Sequence, residues 1–319
     1  MIEYYKINVS GGIPTSVASM AAVPLQGAEI SSLRMMFSGG APVPENLYAD
    51  IRILTGIDLY CIYGMTETAG LISMATVGKP IAKGSAGFAG PDSGIRISGA
   101  AEAGESGEIL VRSDSVFPGY LGSTESPVKE GWLYTGDLGH IDENSNLFIT
   151  GRAKDLIIRS GHNIDPAMIE QCLERHPEVE LAAAVGWPDE YAGELPVAYV
   201  QLREGSTVTA QQLKDFSDCH IDEQPASPKR IIILDSLPVT AVGKIHKPTL
   251  RELSVAAAIE ELLGEMFDDL ALRVEATLTD QGRFDVKAYT EREDASFTQA
   301  CEKMSEVLGM SIDACTGSI

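Results

Sequence analysis

The run Leu33-Arg34-Met35-Met36-Phe37 is almost entirely apolar and stops at Ser38-Gly39-Gly40-Ala41-Pro42. A short apolar run ended by glycines is the pattern of a buried strand, which needs covering layers on the faces of its sheet. The flanking segments supply them. Pro14-Thr15-Ser16 opens a helix just after the Gly11-Gly12 pair, and Pro42 to Leu54 makes a second. Lys6-Ile7-Asn8-Val9 and Leu59-Tyr60-Cys61-Ile62 read as further strands. Residues 1–75 are thus α/β material, and in such sheets ligands bind in the crevice at the strand ends.

The texture then changes. Residues 76–150 carry short strands among frequent glycines, as in Gly94-Ile95-Arg96-Ile97, Gly107 to Arg112, Trp132-Leu133-Tyr134 and Asn146 to Thr150, which suits a small antiparallel sheet or barrel. Residues 151–252 return to α/β. Strands are expected at Asp155–Arg159, Val179–Val185, Pro196–Leu202 and Ile231–Leu234, with helices at Pro166–Arg175 and Ala210–Ser217. Residues 253–319 read as helix, hairpin, helix: Ser254 to Phe267 is helically periodic, and two alternating runs flank Asp280-Gln281-Gly282. The expected class is α/β, more fully a multi-domain α+β chain with an α-β-β-α tail.

Bulk properties narrow the function. A net charge of −22 disfavours nucleic acid and anionic lipid surfaces, because the attraction that drives such binding becomes repulsion. No apolar stretch approaches the ~18–20 residues of a membrane span. Met1-Ile2-Glu3-Tyr4-Tyr5 lacks the basic and apolar regions of a secretory signal, so a cytoplasmic location is expected. The five cysteines include no C-x-x-C pair, which argues against a disulfide framework or zinc site.

Four polar motifs follow one another. Tyr63-Gly64-Met65-Thr66-Glu67 combines an aromatic ring, a glycine that permits a sharp strand exit, a hydroxyl and a carboxylate. It can stack a purine, hold a phosphate oxygen and recruit Mg²⁺; it equally suits a tyrosine closing a core beside a Thr/Glu helix cap. Upstream, Gly39, Gly40 and Ala41 offer the close backbone approach an adenine needs, or simply a turn. Tyr134-Thr135-Gly136-Asp137 places a carboxylate after a turn, suited to a vicinal diol. In Gly151-Arg152-Ala153-Lys154-Asp155, the planar fork of Arg152 can grip ribose or phosphate. Gly243-Lys244 puts an ammonium on a loop, where it can neutralise charge developing between a carboxylate and a phosphate; alone it reads as a solvated surface lysine.

In this order the motifs resemble the adenylate-forming superfamily of acyl-CoA synthetases, carrier-protein adenylation domains and luciferases, over roughly residues 1–252. The resemblance implies that Tyr63 stacks on adenine, Thr66 contacts phosphate, Glu67 binds Mg²⁺, Asp137 holds the ribose hydroxyls and Arg152 contacts ribose or phosphate. It further implies that Lys244 serves adenylation and Lys154 is a hinge. Ser160-Gly161-His162-Asn163-Ile164-Asp165-Pro166 is similar to bacterial acyl-CoA synthetases, in which Ser160 and Gly161 would border the pantetheine tunnel. His162 reads as a base or, preferably, as a loop residue at the tunnel mouth, while Gly70 and Leu71 are expected to contact the acyl group. The implied substrates are a carboxylic acid, ATP and CoA, with Mg²⁺.

The family's phosphate loop has no match in these residues. Gly78 to Gly87 follows the Tyr63 motif and lacks the G-x-x-x-x-G-K-[ST] order, so it reads as an acyl-pocket border or a plain loop. The expectation is a shortened chain that meets an N-terminal half or a second copy of itself. Two other readings stand beside the ligase: an adenylation module loading a separate carrier protein, and a non-catalytic remnant acting as an interaction subunit.

Overall fold

The computed structural model describes residues 1–25, 27–76, 82, 84–122, 125–221, 223–241, 243–267, 270–279, 282–291 and 294–317. Gly78 to Ile81 and Lys83 of the Gly78 to Gly87 segment, and the expected turn residues Asp280 and Gln281, lie outside them. The chain forms two compact units, Met1–Lys154 and Asp155–Ile319.

The first unit opens with α1 (Ile2–Tyr5), β1 (Val9–Gly12), α2 (Pro14–Ala21), β2 (Met35–Gly39), α3 (Glu45–Thr55), β3 (Leu59–Met65), β4 (Gly70–Met74) and β5 (Phe88–Ala89). They build one sheet in the order β1-β2-β3-β4-β5, with β1, β2 and β3 mutually parallel. The first strand starts later than expected and contains the Gly11-Gly12 pair, for a packing reason. A Cβ on Gly11 would stand 2.5 Å from the Phe37 carbonyl oxygen, so only glycine lets β1 lie this close to β2. Val17, Met36, Leu47, Ile51 and Leu59 bury the seam between α2, α3 and the sheet.

A second sheet follows from β6 (Ser93–Ile97), β7 (Gly107–Ser113), β8 (Val128–Lys129), β9 (Trp132–Ile141) and β10 (Leu147–Arg152). Its path, β10-β9-β7-β6 with β8 on β9, has two ends, so among the described residues it is an open antiparallel sheet and no barrel closes. Tyr63 and Ile72 of the first sheet meet Ile109, Val111 and Leu147 of the second in one apolar cluster.

In the second unit come β11 (Ile157–Arg159), β12 (His162–Ile164), α4 (Pro166–Glu174), β13 (Val179–Asp189), β14 (Gly193–Leu202), α5 (Ala210–His220), β15 (Arg230–Leu234), α6 (Lys247–Met266), β16 (Leu272–Leu278), β17 (Phe284–Thr290), α7 (Ala295–Leu308) and β18 (Ser311–Thr316). Local chemistry starts the helices. Asp165 caps α4 by accepting from the Ala167 N–H at 2.9 Å, and Pro166 fits its first position. Thr209 and Gln212 form a reciprocal capping box on α5. The sheet runs β12-β11-β14-β13 with β15 parallel to β14.

Two readings of this half are corrected. The boundary at 252/253 falls inside α6, which runs unbroken from Lys247 to Met266. The tail also carries a further strand: after α7, β18 pairs parallel to β17, giving the sheet β16-β17-β18. Ile259 and Leu263 of α6, Phe297 and Cys301 of α7, and Val286 and Ile312 of the sheet share its core.

One carboxyl group in this unit sits badly. Burial, reinforced by the charge of Glu170 one turn away, pushes Glu174 up to about 7. A carboxyl group with a raised folded pKa stabilises the fold below its unfolded value of 4.5, and that contribution is lost as pH rises toward 7. Glu174→Gln, which keeps the neutral form and an acceptor for the Ala182 amide, is expected to raise stability at pH 8 by on the order of 2 kcal/mol and to change nothing at pH 4. Urea unfolding of both proteins at the two pH values checks this; an equal difference at both would rule the charge out.

Candidate active site

The parallel strands β1 and β2 end at Gly12 and Gly39, and β3 runs on past Ile62, the partner of Gly39, to Met65, at the edge where α/β sheets hold ligands. Each glycine there answers a local demand. A Cβ on Gly39 would stand 2.5 Å from Ile62 Cγ1, and Gly40 turns with φ +83. Half-buried Ala41 continues that turn. A Cβ on Gly64 would collide with the Gly70 carbonyl, at the bulge where β4 folds back on β3. Gly64→Ala is therefore expected to cost about 1–3 kcal/mol, seen as a lower thermal midpoint. An unchanged midpoint would mean that the bulge opens freely.

Past β3, Thr66 to Thr68 form a 3-10 turn. Buried Thr68 locks it by donating to the Met65 carbonyl at 2.9 Å, which leaves Thr66 exposed and Glu67 half-buried. Tyr120 Oη donates to Glu67 Oε1 at 2.6 Å, and the Phe117 N–H donates to the Glu67 carbonyl at 2.8 Å. The contact holds the Tyr120 proton, raising its pKa. Neither Phe117 nor Tyr120 was expected here; the Pro118-Gly119 step that lets this loop return to Glu67 was the available signal.

Two of the expected residues converge on the carboxylate of a third. Tyr63 Oη donates to Asp137 Oδ2 at 2.6 Å, while Arg152 Nε lies 2.8 Å from Asp137 Oδ1. Strand pairing makes this inevitable: Arg152 is opposite Asp137 in the β9–β10 register. Asp137 lies within β9 rather than after a turn, because Gly136, with φ +71, sits where the strand shifts register against β7. The Thr135 hydroxyl accepts from the Asp137 N–H at 3.1 Å and donates to the Ile109 carbonyl at 2.7 Å. Asp137 is 5% exposed and Tyr63 8%, whereas the Arg152 side chain is 48% exposed. Burial, then the charge of Asp137, drives the Tyr63 pKa upward, so the phenol stays a donor. Its ring belongs to the core cluster and is not an open platform.

In the second unit, Ser160 and Gly161 form the tip of the β11–β12 hairpin with φ values of 49 and 83. The Ser160 N–H donates to the Ala192 carbonyl at 2.7 Å. A hollow of about 610 Å³ beside them is lined by Arg159, His162, Lys214, Asp218 and Lys229. Lys214 holds Asp218 at 2.5 Å, which lowers the carboxyl pKa together with Ser227. Arg159 donates to the Pro225 carbonyl at 2.6 Å. His162 and Lys229 are exposed. Lys214 and Lys229 were not singled out from the sequence; Pro228-Lys229 directly ahead of β15 was the visible sign of the second.

Lys244 is exposed on a small hairpin closed by the Val239–Ile245 bridge. Thr240 braces it on both sides: its N–H donates to the Lys244 carbonyl at 2.7 Å and its hydroxyl accepts the Lys244 N–H at 3.1 Å. Lys154 is exposed in a 3-10 turn and is the last residue of the first unit. Tyr63, Glu67, Asp137 and Arg152 thus belong to one unit, and Ser160, Gly161 and Lys244 to the other. Among the described residues no group of three metal-binding side chains occurs, and no helix is long and apolar enough to cross a membrane.

Comparison with known proteins gives concordant matches. The AMP-binding enzyme family profile matches residues 1–121, and that of the AMP-binding enzyme C-terminal domain matches residues 168–244. The chain is 38% identical over 287 residues to marinolic acid–CoA ligase of Pseudoalteromonas sp., covering 86% of this chain and 44% of that protein. It is 38% identical over 261 residues to indoleacetate–CoA ligase of Aromatoleum aromaticum, covering 79% of this chain and 51% of that protein. The ATP-bound crystal structure of MatB from Rhodopseudomonas palustris superposes with a TM-score of 0.74 at 30% identity, over 80% of this chain and 52% of that one. The chain spans about half the length of the curated relatives it matches. From the ordered motifs, the fold and these matches, the chain belongs to the adenylate-forming, AMP-binding superfamily, in its acyl-CoA synthetase branch.

Proposed function

We propose that this chain carries the nucleotide-holding and acyl-transferring parts of an AMP-forming acyl-CoA ligase. The supporting observation is the convergence of Tyr63 and Arg152, from two other strands, on the carboxylate of Asp137. A carboxylate can receive both hydroxyls of a ribose while retaining other partners, because it has about four acceptor sites. Arg152, half in solvent, is free to turn its outer guanidinium edge to ribose or phosphate. Gly39, Gly40 and Ala41 give adenine a backbone edge, and Thr66 offers a hydroxyl to phosphate.

Glu67 fits a magnesium ion. It is a lone carboxylate beside a hydroxyl, and Mg²⁺ is usually held by one or two carboxylates with substrate phosphates and water. When bound, the ion would neutralise phosphate charge. The chain's own residues do the rest: Tyr120 and the Phe117 amide orient Glu67, Asp137 and Arg152 fix the sugar, and Lys244 supplies a positive charge as the carboxylate oxygen attacks the α-phosphorus and pyrophosphate departs. Attack of the CoA thiolate on the acyl carbon then expels AMP.

The hollow beside Ser160 and Gly161 favours free CoA over a carrier-bound pantetheine. The phosphorylated nucleotide end of CoA needs a cation, and Lys229 stands exposed there. Lys154, the last residue of the first unit, is the pivot in this reading.

ATP–pyrophosphate exchange with a panel of carboxylic acids, followed by thioester formation from supplied acyl-AMP and CoA, tests the reading. Acid-dependent exchange or thioester formation is the expected result. A chain that neither exchanges, transfers nor binds AMP would be the interaction subunit instead.

A further inference from the structure

Lys247 stands where helix electrostatics disfavours it. It is the first residue of α6, where the dipole is positive and acidic side chains are stabilised, and no side chain caps that end. Its ammonium lies 2.8 Å from Glu170 Oε1, with the two side chains only 22% and 15% exposed. The same carboxylate oxygen accepts the Ala184 N–H at 2.8 Å, so Glu170 is itself fixed to β13. An ion pair this sheltered needs a second anchor of that kind to offset its desolvation.

Its place along the chain gives the pair a role. Only Ile245 and His246 separate Lys244 from Lys247. Ile245 packs against the core beside Val185, Tyr199 and Leu237, and the His246 N–H donates to the Pro238 carbonyl at 2.8 Å. Beyond those contacts, the Thr240 brace and the bond between His246 Nδ1 and Thr249 Oγ1 at 2.8 Å, the link from this side of the loop to another element is the Lys247 ammonium. On the other side of the pair, α4 begins directly after the β11–β12 hairpin that carries Ser160 and Gly161. Asp165, the residue between them, also feels the Lys247 charge.

We propose that Lys247 is a positioning residue: by its bond to Glu170 it fixes the base of the Lys244 loop to the helix that follows the Ser160-Gly161 hairpin. The role of Lys244 rests on the function proposed above; the ordering of its loop does not, and is measured without turnover.

Hydrogen–deuterium exchange on the full chain compares wild type with Lys247→Met, Lys247→Arg and Glu170→Gln. Amides of Gly243, Lys244 and His246 are expected to exchange about 10-fold faster in Lys247→Met and Glu170→Gln, with Ala182 and Val200 changed less than about 2-fold. Lys247→Arg should restore the wild-type rates. The initial rate of Lys244 acetylation by limiting acetic anhydride, followed by mass spectrometry, should rise in the same two variants. Unchanged loop exchange, or equal acceleration in the sheet, overturns the proposal. Should Lys247→Met fail to fold, Glu170→Gln, which keeps the lysine, decides by the same rates. A wild-type chain without ATP–pyrophosphate exchange would count against the proposed function and leave these rates standing.

Discussion

Asp137→Ala is expected to lose about 3 kcal/mol of stability and its measurable affinity for AMP. Two losses add. The Tyr63 phenol, buried between the sheets, loses its acceptor, and an orphaned buried donor costs about 1–3 kcal/mol. Arg152 loses its buried partner; breaking a buried ion pair costs about 3–5 kcal/mol, reduced here because half of the arginine is in water. Urea unfolding gives the stability and calorimetric titration with AMP gives the affinity. Asp137→Asn separates the two, since its carbonyl still accepts from one neighbour while the amide turns a donor toward the other; it should be intermediate in stability and weak in AMP binding. Full AMP affinity in Asp137→Ala would remove this carboxylate from the site.

The second large effect is a split between half-reactions. Lys244→Ala should lower acid-dependent ATP–pyrophosphate exchange at least about 100-fold, the usual scale for deleting one preorganised charge from a transition state. Thioester formation from supplied acyl-AMP and CoA should change less than about 3-fold, because no phosphorus–oxygen bond forms in that step. The hairpin makes the comparison clean. Thr240 braces the loop through the backbone of Lys244, so the alanine variant keeps those bonds. Equal loss in both reactions would make Lys244 a structural residue.

What the sequence could and could not show follows from the range of the forces involved. Strands and helices set by apolar runs and caps were legible: β2 follows the run that ends at Gly39, and α4 starts where Asp165 and Pro166 stand. The candidate site residues were legible as chemical types, because their motifs are local. Their partners were not. That Tyr63 would give its hydroxyl to Asp137 depends on two sheets meeting through Ile72 and Ile109, a contact between residues far apart in the chain. Asp137 read as a turn residue because a glycine preceded it, yet Gly136 marks a bulge within a long strand. Tyr120 reaches Glu67 through a loop without periodicity. The strand β18 was missed because its six residues alternate too briefly to stand out beside a strong helix.

Helix α6 also changes how the tail is to be regarded. At ~1.5 Å per residue, a 20-residue helix is a stiff rod ~30 Å long. One end lies next to the Lys244 loop, and the other is sunk in the tail core with Ile259 and Leu263. Midway, the Ser254 hydroxyl is joined to Tyr199 at 2.8 Å, which seats the rod on the central sheet. The tail is therefore a splint for the lysine loop rather than an appendage hung after it. A cut at 252/253 would leave a stub too short to stay helical and would strip the loop of its footing, so any functional dissection of this chain has to keep α6 whole.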